Sequence, residues 1–370
     1  MNKFHYLMPT EILCNQDVVR ENSNIFKSLG NKVCIMTGAN SSKKNGSLND
    51  TIYSLDKENI EYIVFDSVEE NPSVENIINA FNAVKKEQID FIIGIGGGSP
   101  IDASKALAIL LKNPEMDPYK IFEISDLESI PVVAIPTTAG TGTETTPYAI
   151  LTDNRVGTKR NFNQKVFPKY ALLDPSYLIG TPDEITINTA IDALSHLIEG
   201  YLSVDSNVFS DFTAEKGFDV FNDCIDSLLA NDFPYAIREK LLLASTLAGV
   251  VISQSGTSLP HGMGYPLTYH HKTPHGKANG LLLKAYLNFC YENITLRRKV
   301  ETILDLLDFD TVDQFGQFIK QLMPNNCCIS ESDLRKYTLS MMKNEGKLKK
   351  HAGPVEEKDI YEIYINSLTL

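Results

Sequence analysis

The sequence predicts an α/β N-terminal domain on a doubly wound parallel sheet, followed by an all-α C-terminal domain. Three observations carry this reading. Short apolar strands, glycine-containing turns and helices alternate through the first half, and helical periodicity takes over after Pro182. The chain has 370 residues with a hydrophobic fraction of 43%, which suits two cores better than one. The boundary is expected near Ile179, giving domains of 1–178 and 179–370.

Lys32-Val33-Cys34-Ile35-Met36-Thr37 reads as a buried strand ending at Gly38, and Leu48, Ile52 and Leu55 then mark a helix. Tyr62-Ile63-Val64-Phe65 is a second strand, with a helix over 73–86 behind it. Phe91-Ile92-Ile93-Gly94-Ile95 is a third, running into Gly96-Gly97-Gly98-Ser99 and a helix starting at Pro100, a favoured first-turn residue. Pro131-Val132-Val133-Ala134-Ile135 is a fourth, and 170–173 with segments near 150 are expected to extend the sheet. Beyond the boundary, helices are expected over 187–201, 209–229, 236–252, 276–289, 297–307 and 356–368.

The formal net charge of -13 argues against nucleic acid, which needs a clustered surplus of Lys and Arg. The six cysteines have no C-x-x-C spacing, and the vicinal Cys327 and Cys328 read as ordinary thiols. The first residues contain no apolar secretory core, and the longest apolar stretch, 241–252, is far short of the ~20 residues a membrane helix needs. A cytoplasmic protein with no membrane partner is expected.

The turn Gly94-Ile95-Gly96-Gly97-Gly98-Ser99-Pro100-Ile101-Asp102 joins an apolar strand to a helix. Backbone without side chains approaches a pyrophosphate closely, and the N–H groups of a helix start favour negative charge. A glycine turn can also serve packing alone. Pro136-Thr137-Thr138-Ala139-Gly140-Thr141-Gly142-Thr143-Glu144-Thr145-Thr146 follows the next strand and should emerge at the same sheet edge, adding hydroxyl donors for phosphates and ribose. After the first strand, Gly38-Ala39-Asn40-Ser41-Ser42-Lys43-Lys44 contains no carboxylate to hold a ribose 2′-hydroxyl. Its hydroxyls and lysines are compatible with a 2′-phosphate, so NADP is slightly favoured over NAD; a plain solvated loop is the alternative.

Asp192 and His196 are four residues apart, which on a helix puts carboxylate and imidazole on one face. That pair alone reads better as a hydrogen-bonded core pair than as part of a metal site. Pro260-His261-Gly262 and Pro274-His275-Gly276 each set a His between Pro and Gly, an arrangement expected to expose the ring. One carboxylate and three imidazoles suit a borderline divalent ion, Fe(2+) or Zn(2+).

Together the glycine turn, PTTAGTGTE, DALSHLIEGYLS, HGMGYPL and TPHGKANG resemble the iron-containing (group III) alcohol dehydrogenases, a family that includes 1,3-propanediol, butanol and lactaldehyde reductases. The resemblance spans almost the whole chain and implies the dehydroquinate-synthase-like fold, with an N-terminal dinucleotide-binding domain and a C-terminal helical metal domain. It places the metal ligands on Asp192, His196, His261 and His275. It places cofactor contacts on Asn71, Gly97, Gly98, Ser99, Asp102, Thr137, Thr138 and Lys159, with Arg160 the alternative to Lys159 at a one-residue offset; the residues of the turns themselves add Gly38, Ser41, Ser42, Thr141 and Thr146 as cofactor contacts. Many members carry a second His four residues after the third ligand; this chain has Tyr265 there, and a phenol with its usual pKa of ~10 is a poorer general base. Tyr265 is then one candidate to pass the proton, and a His270 or His271 side chain, the ribose hydroxyls or water are the alternatives.

The reaction implied is hydride transfer between nicotinamide and the carbinol carbon of a small alcohol, diol or aldehyde, with a homodimer or larger homo-oligomer as the assembly. Leu197, Ile198, Met263, Tyr265 and Leu267 beside the motifs suggest a small, less polar substrate. The competing reading on the same scaffold is a dehydroquinate-synthase-like lyase, which recycles its own bound NAD.

Overall fold

A computed structural model describes residues 4–325 and 329–368, so Cys327 and Cys328 lie outside the described residues. Eight strands occur among the described residues: β1 (Glu11–Cys14), β2 (Lys32–Thr37), β3 (Glu61–Phe65), β4 (Phe91–Gly96), β5 (Val132–Pro136), β6 (Ile150–Asp153), β7 (Thr158–Asn161) and β8 (Tyr170–Leu173). Helices of ten residues or more are α1 (Ser47–Lys57), α2 (Val74–Val84), α3 (Gly98–Lys112), α4 (Asp183–Leu202), α5 (Val208–Asn222), α6 (Tyr235–Ser255), α7 (Leu259–His271), α8 (His275–Glu292), α9 (Arg297–Leu306), α10 (Val312–Leu322), α11 (Glu331–Met342) and α12 (Glu357–Leu368).

The chain forms two compact units, one of residues 8–181 and one of 182–370 together with the first seven. The N-terminal segment thus departs from the expected division. Leu7 exchanges backbone hydrogen bonds with the Gln254 side chain, and the rings of Phe4 and Tyr6 pack on Phe209, all within the helical unit.

The sheet of the first unit has the order β1-β8-β5-β4-β2-β3, every neighbouring pair parallel. Strands β2, β4 and β5 are apolar and buried on both faces because helices cover both sides. Cys34, Met36, Ile92 and Val132 point into a core shared with Val74, Ile77 and Ala106, while Val33, Ile35, Ile93 and Val133 point into one shared with Leu48 and Leu55. A Cβ at Gly94 would lie 2.6 Å from Ser104 Oγ and 3.0 Å from Ile101 Cα, so α3 rests directly on β4.

Order reverses between β2 and β4, the place where doubly wound sheets bind ligands at the carboxyl ends of their strands. The register aligns Thr37 with Ile95 and Gly96 with Pro136, so the turns after β2, β4 and β5 leave at one edge, as expected from the sequence. Two expectations fail here. Residues 150–153 do not extend the sheet; they pair antiparallel with 158–161 as a separate hairpin. Strand β1 was not anticipated, being four mostly exposed residues on the sheet edge.

The helical unit is organised around α4, which is buried without interruption from Ala190 to Leu202. A helix covered on all sides reads as apolar all round, which is how 190–202 reads apart from a few polar residues. Helix α6 seats against it where a Cβ on Gly200 would come 2.4 Å from Val251 Cγ1. None of the helices in the described residues is long and apolar enough to cross a membrane.

Candidate functional site

Helix α4 presents Asp192, His196 and Glu199 at positions i, i+4 and i+7, one side of the helix, and all three are buried. His261 lies in the first turn of α7 and His275 is the first residue of α8. The Pro-His-Gly motifs are therefore helix starts: Pro260 occupies the first turn and Pro274 the N-cap, where a missing N–H costs nothing. His261 is only 3% exposed, contrary to the expectation that this setting exposes the ring, while His275 is half-buried.

Glycines set how closely these helices meet. A Cβ at Gly276 would fall 1.8 Å from the Asn188 carbonyl oxygen on α4, and one at Gly280 2.6 Å from Ile191 Cγ2. A Cβ at Gly264 would fall 2.3 Å from Asn279 Oδ1, so that glycine admits the Asn279 amide. Helix α7 was missed at the sequence level because Gly262, Gly264 and Pro266 all argue against a helix interior.

The result is a convergence. Candidate ligand atoms of Asp192, His261 and His275 lie within 4.8 Å of one another. Asp192 Oδ1 is 3.7 Å from His261 Nε2 and 3.8 Å from His275 Nε2. Donors about 2.1 Å from a tetrahedral metal stand roughly 3.4 Å apart, so the spacing and the N/O donor set fit a borderline divalent ion. His196 stacks on His261 with centroids 4.5 Å apart; it stands beside this triad rather than within it. Burial, reinforced by the charges of His196 and Lys347, holds His261 well below the usual histidine pKa, keeping it neutral as a ligand must be.

Three residues without an assigned role complete the site. Asn279, fully buried on α8, places Nδ2 3.0 Å from Asp192 Oδ1, 3.2 Å from His261 Nε2 and 3.3 Å from His275 Nε2. Glu199 contacts His261 Nδ1 through Oε1. Lys347 lies 5.9 Å from the centre of the Tyr265 ring and acts electrostatically on Glu199. Burial pushes the Glu199 carboxyl up, and the Lys347 ammonium and the backbone N–H groups of Ser258 and His261 oppose it. All three were missed in the sequence; the i+7 spacing from Asp192 and the i+4 spacing from His275 are signals that could have found Glu199 and Asn279, and nothing local would have found Lys347.

Tyr265, one turn after His261, lays its ring nearly parallel to that of His275, 6.0 Å between centroids. His271 does not belong with it. Residues 259–271 form one helix, so His271 sits about 15 Å along the axis from His261, where its Nε2 meets the Tyr337 hydroxyl at 2.9 Å. Leu197, Ile198, Met263 and Leu267 are entirely buried core and line no substrate pocket; of the five residues expected beside the substrate only Tyr265 keeps some exposure.

In the sheet unit, the turns after β4 and β5 interlock. A Cβ on Gly97 would meet Thr138 Oγ1 at 3.1 Å, and one on Gly98 would meet Thr141 Cγ2 at 2.8 Å. Gly97, Gly98, Ser99, Thr138 and Thr141 remain partly exposed beside the free N–H groups of the α3 start, a cradle fit for a diphosphate. Asn71, at φ 55°, donates its N–H to Ser99 Oγ (3.0 Å) and accepts from Lys159 Nζ (2.7 Å). The neighbouring Arg160 instead pairs with Asp153 (3.0 Å), so Lys159 is the one grouped with Asn71 and Ser99.

Several proposed cofactor residues face inward. Ser42 is fully buried and its hydroxyl accepts from Thr37 (2.7 Å), whereas Gly38 and Ser41 stay accessible. Asp102 spends its two oxygens on Thr143 Oγ1 (2.5 Å) and the Ile150 N–H (2.9 Å). Thr137 and Thr146 are buried. Lys105, also buried, donates to the carbonyls of Thr143, Thr146 and Tyr148, which shapes the loop from beneath. Lys43 pairs with Asp66 (2.5 Å), a carboxylate delivered from the end of β3 that the linear reading of this turn did not include.

The chain is similar over most of its length to known proteins. A family model for iron-containing alcohol dehydrogenase matches residues 9–175, and one for the C-terminal part of the Fe-containing alcohol dehydrogenase family matches 186–364. A 1,3-propanediol dehydrogenase of Citrobacter freundii is 31% identical over 287 residues, 76% of this chain and 73% of that protein. The crystal structure of an iron-containing alcohol dehydrogenase from Thermotoga maritima superposes with a TM-score of 0.93 at 37% identity, covering 100% of both chains. Another iron-containing alcohol dehydrogenase structure gives the same score and identity over 99% of each chain.

Proposed function

The chain belongs to the iron-containing alcohol dehydrogenase family and is an alcohol/aldehyde oxidoreductase, and from that premise we propose that it is metal-dependent and NAD(P)-linked, acting on small primary alcohols, diols or aldehydes. The observation that carries the proposal is the meeting of Asp192, His261 and His275 donor atoms within 4.8 Å on three separate helices, with His196 stacked alongside. Three helices held together by glycine contacts are a large investment for a structural pair of charges.

Asp192, His196, His261 and His275 would hold Fe(2+) or Zn(2+). When bound, such an ion supplies Lewis-acid polarisation of the substrate oxygen. The chain's own part is orientation and charge. Asp192 contributes the negative charge, burial keeps His261 neutral, and Tyr265 beside His275 is the residue assigned to relaying the proton. Gly97, Gly98, Ser99, Thr138 and Thr141 would hold the cofactor diphosphate, and Asn71 with Lys159 an adjoining polar group. The exposed Ser41 and Lys44 after β2 support NADP, whereas the Asp66 carboxylate paired with Lys43 supports NAD, so the test carries both cofactors.

The test is a screen of NADPH against NADH oxidation over C2 to C6 aldehydes, with Fe(II) or Zn(II) added. Net oxidation that stops on chelation supports the reading. No net oxidation with any pair, together with product formed by elimination, would favour the lyase. A second measurement addresses the cofactor side. Lys159→Ala should raise the NADPH KM about tenfold, roughly 1.4 kcal/mol, because a charged contact is lost. Arg160→Ala should leave that KM alone and instead lower stability by about 1 kcal/mol, since the buried Asp153 loses one of two arginine partners. A reversed pattern would put Arg160, not Lys159, at the cofactor.

A further inference from the structure

We propose that Glu199 is a positioning residue that selects the His261 tautomer, locking the proton on Nδ1 and leaving the Nε2 lone pair for the metal. The inference rests on the metal-centre reading above and concerns a residue to which that reading gives no role.

The geometry is bipartite. Glu199 Oε2 accepts from the backbone N–H of Ser258 at 2.7 Å and of His261 at 3.3 Å, capping the start of α7, whose N-cap residue makes no side-chain cap of its own. Oε1 meets His261 Nδ1. Asn279 Nδ2, a donor, lies 3.2 Å from His261 Nε2, so a proton on Nδ1 facing Glu199 and a bare Nε2 facing the amide satisfy both contacts of the ring. Nε2 is the atom 3.7 Å from Asp192 Oδ1, on the side where the other ligands converge. Glu199 is fully buried, and its position is set twice over: by α4, which also carries Asp192 and His196, and by the α7 backbone. Ser258 is further held by the Tyr286 hydroxyl at 3.0 Å, so the acceptor face rests on α8 as well. One helix therefore supplies two candidate ligands and the group that orients a third, as in carboxylate–histidine–metal arrangements generally.

Glu199→Gln separates orientation from capping. The amide oxygen can still accept from the Ser258 and His261 N–H groups, so the helix cap survives. The amide NH2 then faces Nδ1 and donates to it, which moves the ring proton to Nε2 and aims it at the metal position. A residue with only a structural role would tolerate this exchange.

The experiment measures Zn(II) affinity by chelator competition for wild type and E199Q, together with histidine 15N shifts of the metal-free proteins, His261 being assigned by difference with His261→Gln. Expected are a 10- to 100-fold weaker Kd in E199Q, an unchanged thermal midpoint, and a switch of His261 from the Nδ1–H to the Nε2–H tautomer. Affinity within threefold of wild type would overturn the proposal. Should E199Q not fold, metal-free wild type decides alone: an Nε2–H tautomer at His261 refutes the assignment and Nδ1–H upholds it. Wild type that binds no Zn(II) or Fe(II) would instead refute the metal centre itself, a separate failure.

Discussion

Replacing His261 by alanine is expected to remove metal binding and at least a thousandfold of turnover while leaving the fold in place. A thousandfold is about 4 kcal/mol of barrier, within the several kcal/mol that Lewis-acid polarisation supplies. The loss is expected to be disproportionate because His261 is neighbour to every part of the site. Its Nε2 faces Asp192, its ring stacks on His196 and stands edge-on to His275, and its Nδ1 meets Glu199. Deletion also strands a buried carboxylate oxygen, costing roughly 1–3 kcal/mol of stability. Metal content by elemental analysis, turnover with the aldehyde found in the screen, and far-UV circular dichroism check the three parts. Full turnover without bound metal would sink the metal-dependent mechanism.

The second large effect comes from a residue with no side chain. Gly276→Ala would put a Cβ 1.8 Å from the Asn188 carbonyl oxygen, 2.8 Å from its carbon and 3.2 Å from Asp192 Cβ. The first two are backbone atoms, so no rotamer change relieves the clash, and α8 must move off α4. His275 is the adjacent residue and Asp192 is on the helix being pushed, so the distance between two proposed ligands opens directly. Overpacking typically costs 1–3 kcal/mol, and a backbone clash belongs at the upper end, about 3 kcal/mol. The expected result is a fall in thermal midpoint together with more than tenfold weaker metal binding. Gly346→Ala is the control: its nearest neighbour would be Asn344 Oδ1 at 3.7 Å, ordinary contact, so neither quantity should change. Wild-type metal affinity in G276A would show that the close approach of α8 to α4 is not what assembles the site.

Much of the fold was legible because its signals are local. Strands β2 and β8 match their predicted bounds, since runs such as 32–37 and 170–173 are short, apolar and bounded by turn residues or prolines. The long helices of the second unit followed from their periodicity. Helices α7, α10 and α11 were not anticipated; in α7, glycines and a proline contradict the local preference and tertiary packing overrides it. The expected single helix 209–229 is two helices, Val208–Asn222 and Ile225–Ala230, broken at Asp223 and Cys224.

The candidate site divides along the same line. By itself the sequence determined the donor types, the pairing of Asp192 with His196 on one helical face, the glycine turn after β4 and the hydroxyl-rich turn after β5, because each depends on spacing along one element. Tertiary structure decided which groups meet and which way they face. It brought His261 and His275 to Asp192 through glycines whose missing Cβ atoms lie in other helices. It moved His271 out along α7, turned Ser42 and Asp102 inward, and brought Asp66 to Lys43 and Lys347 toward Glu199 from distant segments. The physical reason is the same each time: helix and strand periods fix a residue's neighbours on its own element, whereas contact across elements is set by how closely backbones approach.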